Sequence, residues 1–319
     1  MSGAFGQTRT TQAAVDTDAR SDITVVYVAY GVDELDLGWI PAETPVVVVH
    51  NDERLATPDR SGVVGIDAGG NVGFGAAVNR ALSAVTTSRL VLCNPDTALA
   101  PHHFAALAAA PPDHLAAVPL VEPDGTPNSV INQYWSPAAF LATALRLGRL
   151  APRGGRLRPL LLRALGHWGR AHRASLIGDG PATGSWPLDR RWASAAVLAV
   201  PVEPLRAVGG FDDAYFLYYE DVDLQQRLAA RFPALRIHLL DVAPGLHLVG
   251  GSGGGVRGTV ARHRRNAAAE YASRQPGRGW RLAGLALGAR ITADRLVTAR
   301  LVTGLRATAG PRRRRPGGR

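Results

Sequence analysis

The chain has 319 residues, 46% of them hydrophobic, enough to bury one large core or two tightly joined lobes. Its formal charge is +10, all 36 basic residues are arginine, and it holds one cysteine, Cys93. That composition excludes an internal disulfide and a cysteine-based zinc site and fits a reducing cytoplasm. It also calls for an acidic partner: nucleotide phosphates, anionic lipid or nucleic acid.

Residues 1–20 are polar, read as a disordered leader and show no secretory signal. Ile23–Val28 and Val46–Val49 are continuous β-branched runs, which suit parallel strands covered on both faces. Val63–Ile66 is a shorter third strand, leading through the glycines of 69–75 into a helix from Ala76 to Ala84. Arg89–Cys93 is a fourth strand, stopped by Asn94-Pro95-Asp96. The alternation indicates a mostly parallel, doubly wound α/β sheet. Ligands bind beyond the carboxyl ends of such strands, where Tyr30, Asn51, Asp52, Asn94 and Asp96 stand. The 70–75 segment lacks the glycine spacing of a dinucleotide site.

Residues 118–128 read as a strand and an Asp124-Gly125 turn. Residues 146–173 hold eight arginines and no acid, a basic insertion that is either a solvated face or a surface for anionic lipid. Trp192–Val200 is a single buried strand, and Pro204–Val208 a helical turn. Residues 211–227 then crowd Asp212, Asp213, Glu220, Asp221 and Asp223 among five aromatic rings. Carboxylates in such a setting either open a helix or stand at a water-poor wall as a general base. Leu224 and Leu228 give the following helix its apolar face, with Asp223 and Arg227 paired at i, i+4. A late strand, 235–240, precedes His247 and a glycine-rich loop. From Arg257 onward sixteen arginines face two acids, with a helix expected over Trp280–Arg306 and a disordered basic tail. No zinc finger, helix-turn-helix or aromatic-studded basic sheet accompanies these charges, so a membrane surface is expected rather than nucleic acid. No run of about 18 apolar residues is present, which predicts a soluble or peripheral protein.

Taken in order, these stretches resemble the family 2 inverting glycosyltransferases of GT-A fold, in particular the bacterial rhamnosyltransferase-like members. The likeness rests on Val25–Tyr30, Val46–Asn51, Asn71–Asn79, Leu92–Asp96, Trp192–Ala196, Gly209–Asp212 and Tyr219–Leu224, ending at Arg227. It implies one glycosyltransferase domain over 21–250. A nucleotide-sugar half (21–128) would be followed by an acceptor and catalytic half (129–250) and a basic helical region (251–319). The implied donor site is Tyr30, Asn51, Asp52, Asn71, Gly73, Phe74, Asn94 and Asp96. Asp96 would hold Mg²⁺ or Mn²⁺, with His247 a second metal or phosphate ligand. Asp221 matches the catalytic carboxylate, and Glu220 beside it is the rival. His50 stands where an aspartate is common, and Ala195 where a glycine is.

The implied reaction is transfer of a sugar, best matched by L-rhamnose from dTDP-rhamnose, to a lipid-linked acceptor such as polyprenyl-diphosphate GlcNAc. The expected place is the cytoplasmic face of the cell membrane, in cell-wall or polysaccharide synthesis. Galactofuranosyl or mannosyl transfer onto polysaccharide is the alternative within enzymes. A non-catalytic basic adaptor is the alternative outside them.

Overall fold

The computed structural model describes residues 22–144, 183–248 and 257–292. The leader, the basic insertion, the glycine-rich loop and the arginine tail lie outside the described residues. An eight-stranded sheet in the order β3-β2-β1-β4-β11-β6-β12-β9 forms the centre. Four of its strands, β1 (Ile23–Ala29), β2 (Val46–His50), β3 (Val63–Asp67) and β4 (Arg89–Cys93), are parallel to one another. Every residue of β1 and β4 is buried, as their apolar runs require. β3 is the edge and leaves Val64 exposed.

β11 (Val197–Pro201) runs antiparallel to both β4 and β6 (His114–Ala117). β12 (Arg236–Leu239) is parallel to β6, and β9 (Gly184–Pro187) closes the far edge antiparallel to β12. The fold class is therefore α/β as expected, with a mixed sheet. The chain leaves β1 toward β2 and β3 and returns on its other side as β4, so the carboxyl ends of β1 and β4 flank a switch point where ligands bind.

Several elements depart from the sequence reading. α1 (Phe74–Ala81) begins two residues early, with Gly73 as its N-cap. α2 (Pro101–Ala108) was not foreseen: His103 Nδ1 caps it by accepting from Ala100 N at 2.8 Å. The strand expected near 118–120 is two, β6 and β7 (Leu120–Val121). The strand expected over 192–200 is likewise two, β10 (Arg191–Ala193) and β11. β10 pairs with β8 (Ile131–Gln133) in a separate ribbon, so residues 194–196 bridge two sheets, Ser194 N bonding Val130 O at one end and Ala196 O receiving Asn94 N at the other. Arg89, although buried, satisfies its guanidinium on the carbonyls of His114, Ala110 and Pro111 and so locks the turn before β6.

α3 (Pro137–Ala144) precedes β9 in the chain, and α4 (Val202–Ala207) and α5 (Glu220–Arg231) lie between β11 and β12. α6 (Arg257–Arg274) and α7 (278–292) come last. A second apolar cluster joins Phe140 of α3, Tyr215, Val222 of α5, Ala268 and Tyr271 of α6, and Trp280 and Leu287 of α7. The tyrosine ring of Tyr271 lies 5.3 Å from Tyr219, 5.8 Å from Phe140 and 5.6 Å from Trp280. Aromatic packing of this kind adds to area burial and fixes the C-terminal helices against α5.

Candidate active site

Two groups of polar side chains meet at the carboxyl end of the sheet. The first surrounds Asp96. A three-stranded ribbon in the order β5-β13-β7 sets β13 (Gly245–His247) beside β5 (Thr97–Ala98), with His247 opposite Thr97. Leu248 N donates to Asp96 O at 2.8 Å. This register brings His247 Nε2 to 3.4 Å from Asp96 Oδ1, although the two residues lie far apart in sequence. Asp96 and His247 are thus an oxygen and a nitrogen donor at one spot. Among the described residues no group of three or more His, Cys, Asp or Glu side chains could hold a metal. The Asp96 carboxylate alone suits Mg²⁺ or Mn²⁺, which bind through one or two carboxylates plus water and substrate phosphate rather than in an all-protein cage, and His247 Nε2 is a nitrogen donor beside it.

The other residues expected for the donor follow the carboxyl ends of β1 and β2. Tyr30, 44% exposed, comes directly after β1. Asp52 Oδ2 accepts from Gly31 N at 2.6 Å and so shapes the loop after Tyr30. Asn51 is turned inward: Oδ1 accepts from Val72 N at 2.9 Å, and Nδ2 donates to Asn71 Oδ1 at 3.1 Å and Gly73 O at 3.4 Å. Its amide holds the 71–73 loop rather than facing a ligand. Asn71 in turn accepts from Gly73 N at 3.2 Å. His50, in the place of the usual aspartate, meets Thr57 Oγ1 at 2.8 Å between β2 and β3.

Gly73 and Phe74 tie the donor side to the second group. Phe74 N donates to Phe216 O at 3.1 Å, and the Phe74 ring meets Phe211 edge-on at 6.0 Å. Gly73 has φ +90°, and a Cβ there would run into the Phe216 carbonyl, so glycine is required twice over. Asn79, one helical turn further, donates to Phe211 O and Asp213 Oδ1 and accepts from Phe211 N. It braces α1 against the 211–213 loop.

The second group is the start of α5. Tyr218 (φ 75°) and Tyr219 (φ 70°) are the non-glycine residues in the left-handed region among those described. Each holds strain on the order of 1–2 kcal/mol. The surroundings compensate: Arg264 lies over the Tyr218 ring at 4.5 Å, His263 stacks on Phe216 at 4.7 Å, and Arg274 pairs with Asp212. The kink turns the chain so that Glu220 and Asp221 open α5. Asp223 is the structural member expected, bonded to Arg227 Nε at 2.8 Å while Arg227 Nη1 holds the carbonyls of Val208 and Gly210.

Glu220 is buried, and its Oε2 has no hydrogen-bond partner among the described residues. Asp221 is half-buried, accepting from Val222 N at 2.9 Å and from Ala195 N at 3.4 Å. Burial raises both carboxyls, Asp221 to about 6 and Glu220 to about 8. The neighbouring Asp221 charge pushes Glu220 further, whereas backbone N–H groups favour the ionised form of Asp221. The pair thus holds its first negative charge more readily at Asp221, where backbone N–H groups receive it. The backbone N–H groups on Asp221 favour its ionised form, the form a proton acceptor needs.

Residues 194–196 connect the two groups. Ala195 N faces Asp221, and Asn94 N donates to Ala196 O at 2.8 Å on the loop that carries Asp96. Sequence reasoning marked Ala195 only as an unusual alanine. It did not single out Gln225, whose amide grips Ala193 from α5.

No family model matches the chain. Over 180 residues it is 29% identical to the N-acetylglucosaminyl-diphospho-decaprenol L-rhamnosyltransferase of Mycobacterium tuberculosis, a match covering 51% of this chain and 52% of the relative. The chain thus spans about half the length of the curated relatives it matches. The match supports the resemblance to rhamnosyltransferase-like family 2 glycosyltransferases carried by the motifs. Among solved structures, a mannosyltransferase from Pyrobaculum calidifontis in complex with GDP-Man and Mn²⁺ is 16% identical, covering 92% of this chain and 77% of that one at a TM-score of 0.41. Glucosyl-3-phosphoglycerate synthase from Mycobacterium tuberculosis, in complex with Mn²⁺, UDP and phosphoglyceric acid, is 15% identical, covering 79% and 78% at 0.42.

Proposed function

We propose that this chain is an inverting glycosyltransferase that moves a sugar from a nucleoside-diphosphate donor to a lipid-linked saccharide. L-Rhamnose from dTDP-rhamnose and a polyprenyl-diphosphate GlcNAc acceptor are the substrates that the curated relative's name favours. The observation that carries this reading is the 194–196 segment. It ties a carboxylate suited to a diphosphate-bound cation, with an imidazole beside it, on one side, to a carboxylate poised to take a proton on the other.

Asp96 and His247 would hold Mg²⁺ or Mn²⁺, which when bound neutralises charge developing on the leaving diphosphate. Tyr30 and the loops held by Asp52 and Asn51 would receive the nucleoside. Asp221 accepts the acceptor hydroxyl's proton as that oxygen bonds to the sugar carbon and the bond to the diphosphate breaks on the opposite face. Burial and the Asp221 charge disfavour a second negative charge at Glu220.

An anionic membrane face is the further partner. No helix among the described residues is long and apolar enough to cross a membrane. On α7, however, Leu282 and Leu285 are 65% and 71% exposed beside the exposed Arg278 and Arg281. Apolar side chains flanked by cations suit an interface of lipid and headgroup.

Release of nucleoside diphosphate across a panel of nucleotide sugars tests the reaction, with a short polyprenyl-diphosphate GlcNAc acceptor and either Mg²⁺, Mn²⁺ or chelator. Turnover with dTDP-rhamnose, abolished by chelator, is expected. Turnover with a galactofuranosyl or mannosyl donor would replace the sugar and keep the site. Nucleotide sugars that neither turn over nor bind in a titration would leave the non-catalytic adaptor.

A further inference from the structure

Gln225 lies one turn after Asp221 on α5 and is 0% exposed. A buried primary amide is tolerated only when its donors and acceptor are matched. Its Oε1 accepts from Ala193 N at 2.8 Å, and its Nε2 donates to Ala193 O at 2.7 Å and to Asp221 O at 2.9 Å. Gln225 thus holds both backbone groups of Ala193 as a neighbouring strand would, and ties them to the first turn of α5. On the other edge of β10 lies β8, so Ala193 is clamped between α5 and that ribbon. Two residues on, Ala195 N faces Asp221 Oδ2, and one residue further Ala196 O receives Asn94 N.

We propose that Gln225 is a positioning residue for Asp221: by pinning Ala193 to α5 it keeps the Ala195 N–H on the Asp221 carboxylate and fixes the spacing between Asp221 and the Asp96 loop. The inference rests on Asp221 being the base. A methionine at 225 would fill the same space but leave the Ala193 N–H and C=O without partners in a dry setting. β10 and α5 would then relax apart, and Asp221 would lose a donor that favours its ionised form.

The test is an NMR titration of protein labelled at the aspartate ¹³Cγ, with the Asp221 signal identified by its absence in Asp221→Asn. In Gln225→Met the Asp221 midpoint is expected to move up by about 0.5–1 pH unit. Arg89→Met, which breaks a buried clamp away from the site, is expected to lower Tm without moving that midpoint. In the turnover assay the acid limb of kcat/KM should follow the NMR midpoint, and kcat should fall about tenfold with donor KM unchanged. If Gln225→Met does not fold, Gln225→Asn, whose shorter amide cannot span the same contacts, carries the test with a smaller shift. A lowered Tm with an unmoved Asp221 midpoint would overturn the proposal and leave Gln225 a brace. Full turnover by Asp221→Asn would instead remove the base assignment, and the NMR titration would stand apart from it.

Discussion

The strands at the proposed donor end and the acidic turn proposed to be catalytic are held by opposite means. β1, β2 and β4 are stabilised by burying β-branched and leucine side chains in a regular ladder, and no residue there is strained. The acidic turn has two tyrosines at positive φ, a carboxyl oxygen with no partner among the described residues and a half-buried carboxylate. It persists because Gly73, Asn79, Arg264, His263, Arg274 and Gln225 grip it from several directions. A regular sheet supplies a fixed platform, and a strained turn on that platform supplies reactive groups whose protonation the environment sets.

The contrast is broken most sharply at Asp221. Asp221→Asn is expected to reduce kcat about a hundred- to ten-thousand-fold while nucleotide affinity, read by calorimetry, stays within twofold. Gly73→Ala attacks the join between the halves. The methyl would collide with the Phe216 carbonyl at a backbone conformation that alanine resists. A loss of about 2–3 kcal/mol in denaturant unfolding is expected, with weaker nucleotide binding as the 71–75 loop shifts.

The pH dependence sharpens the assignment within the turn. A base must be deprotonated, so kcat/KM should rise with pH through the folded-state value of the working carboxyl. An acid limb above the usual carboxylate range marks the Glu220–Asp221 pair, and its survival in Glu220→Gln with its loss in Asp221→Asn assigns it to Asp221. The smallest effect is on stability. The folded-state value of Glu220 is raised, so its ionisation opposes folding increasingly from its unfolded value of 4.5 up to about 8. Glu220→Gln should therefore gain on the wild type between pH 5 and pH 8, by on the order of 1–3 kcal/mol in thermal unfolding.

Legibility in the sequence divides along the same line. β1, β2 and β4 were readable because uninterrupted apolar runs have few other ways to be buried. The Asp223–Arg227 pair was readable because its residue types and i, i+4 spacing carry it, whereas Asp96 and Asp221 were singled out through the resemblance. The pairing of His247 with Asp96 depends on β13 entering a ribbon beside β5, a register that local pattern does not encode. The break at 194–196 was hidden because Ala195 and Ala196 look like strand residues, and the Asp221 carboxylate that takes the Ala195 N–H is remote in sequence. Asn51 stands at a strand end as a ligand would, yet its partners on the 71–73 loop turn it inward. Gln225 was silent for a related reason: its main partner is the backbone of Ala193, and backbone atoms leave no mark on residue identity.

The seating of β11 against β4 has a consequence for how the protein is made. Along one edge β4 has β1 as its neighbour, but the other waits for β11, with Cys93 opposite Val197. While the ribosome adds residues 94–196, the buried run Arg89–Cys93 has an open edge of unpaired amides and carbonyls, a template for pairing with another nascent chain. The acidic turn is completed later still, since Arg264, Tyr271 and Arg274 are translated after it. Vectorial synthesis thus orders assembly from the parallel strands to the acidic turn, and a chain arrested before α6 would emerge with β1–β4 paired and the start of α5 unsupported.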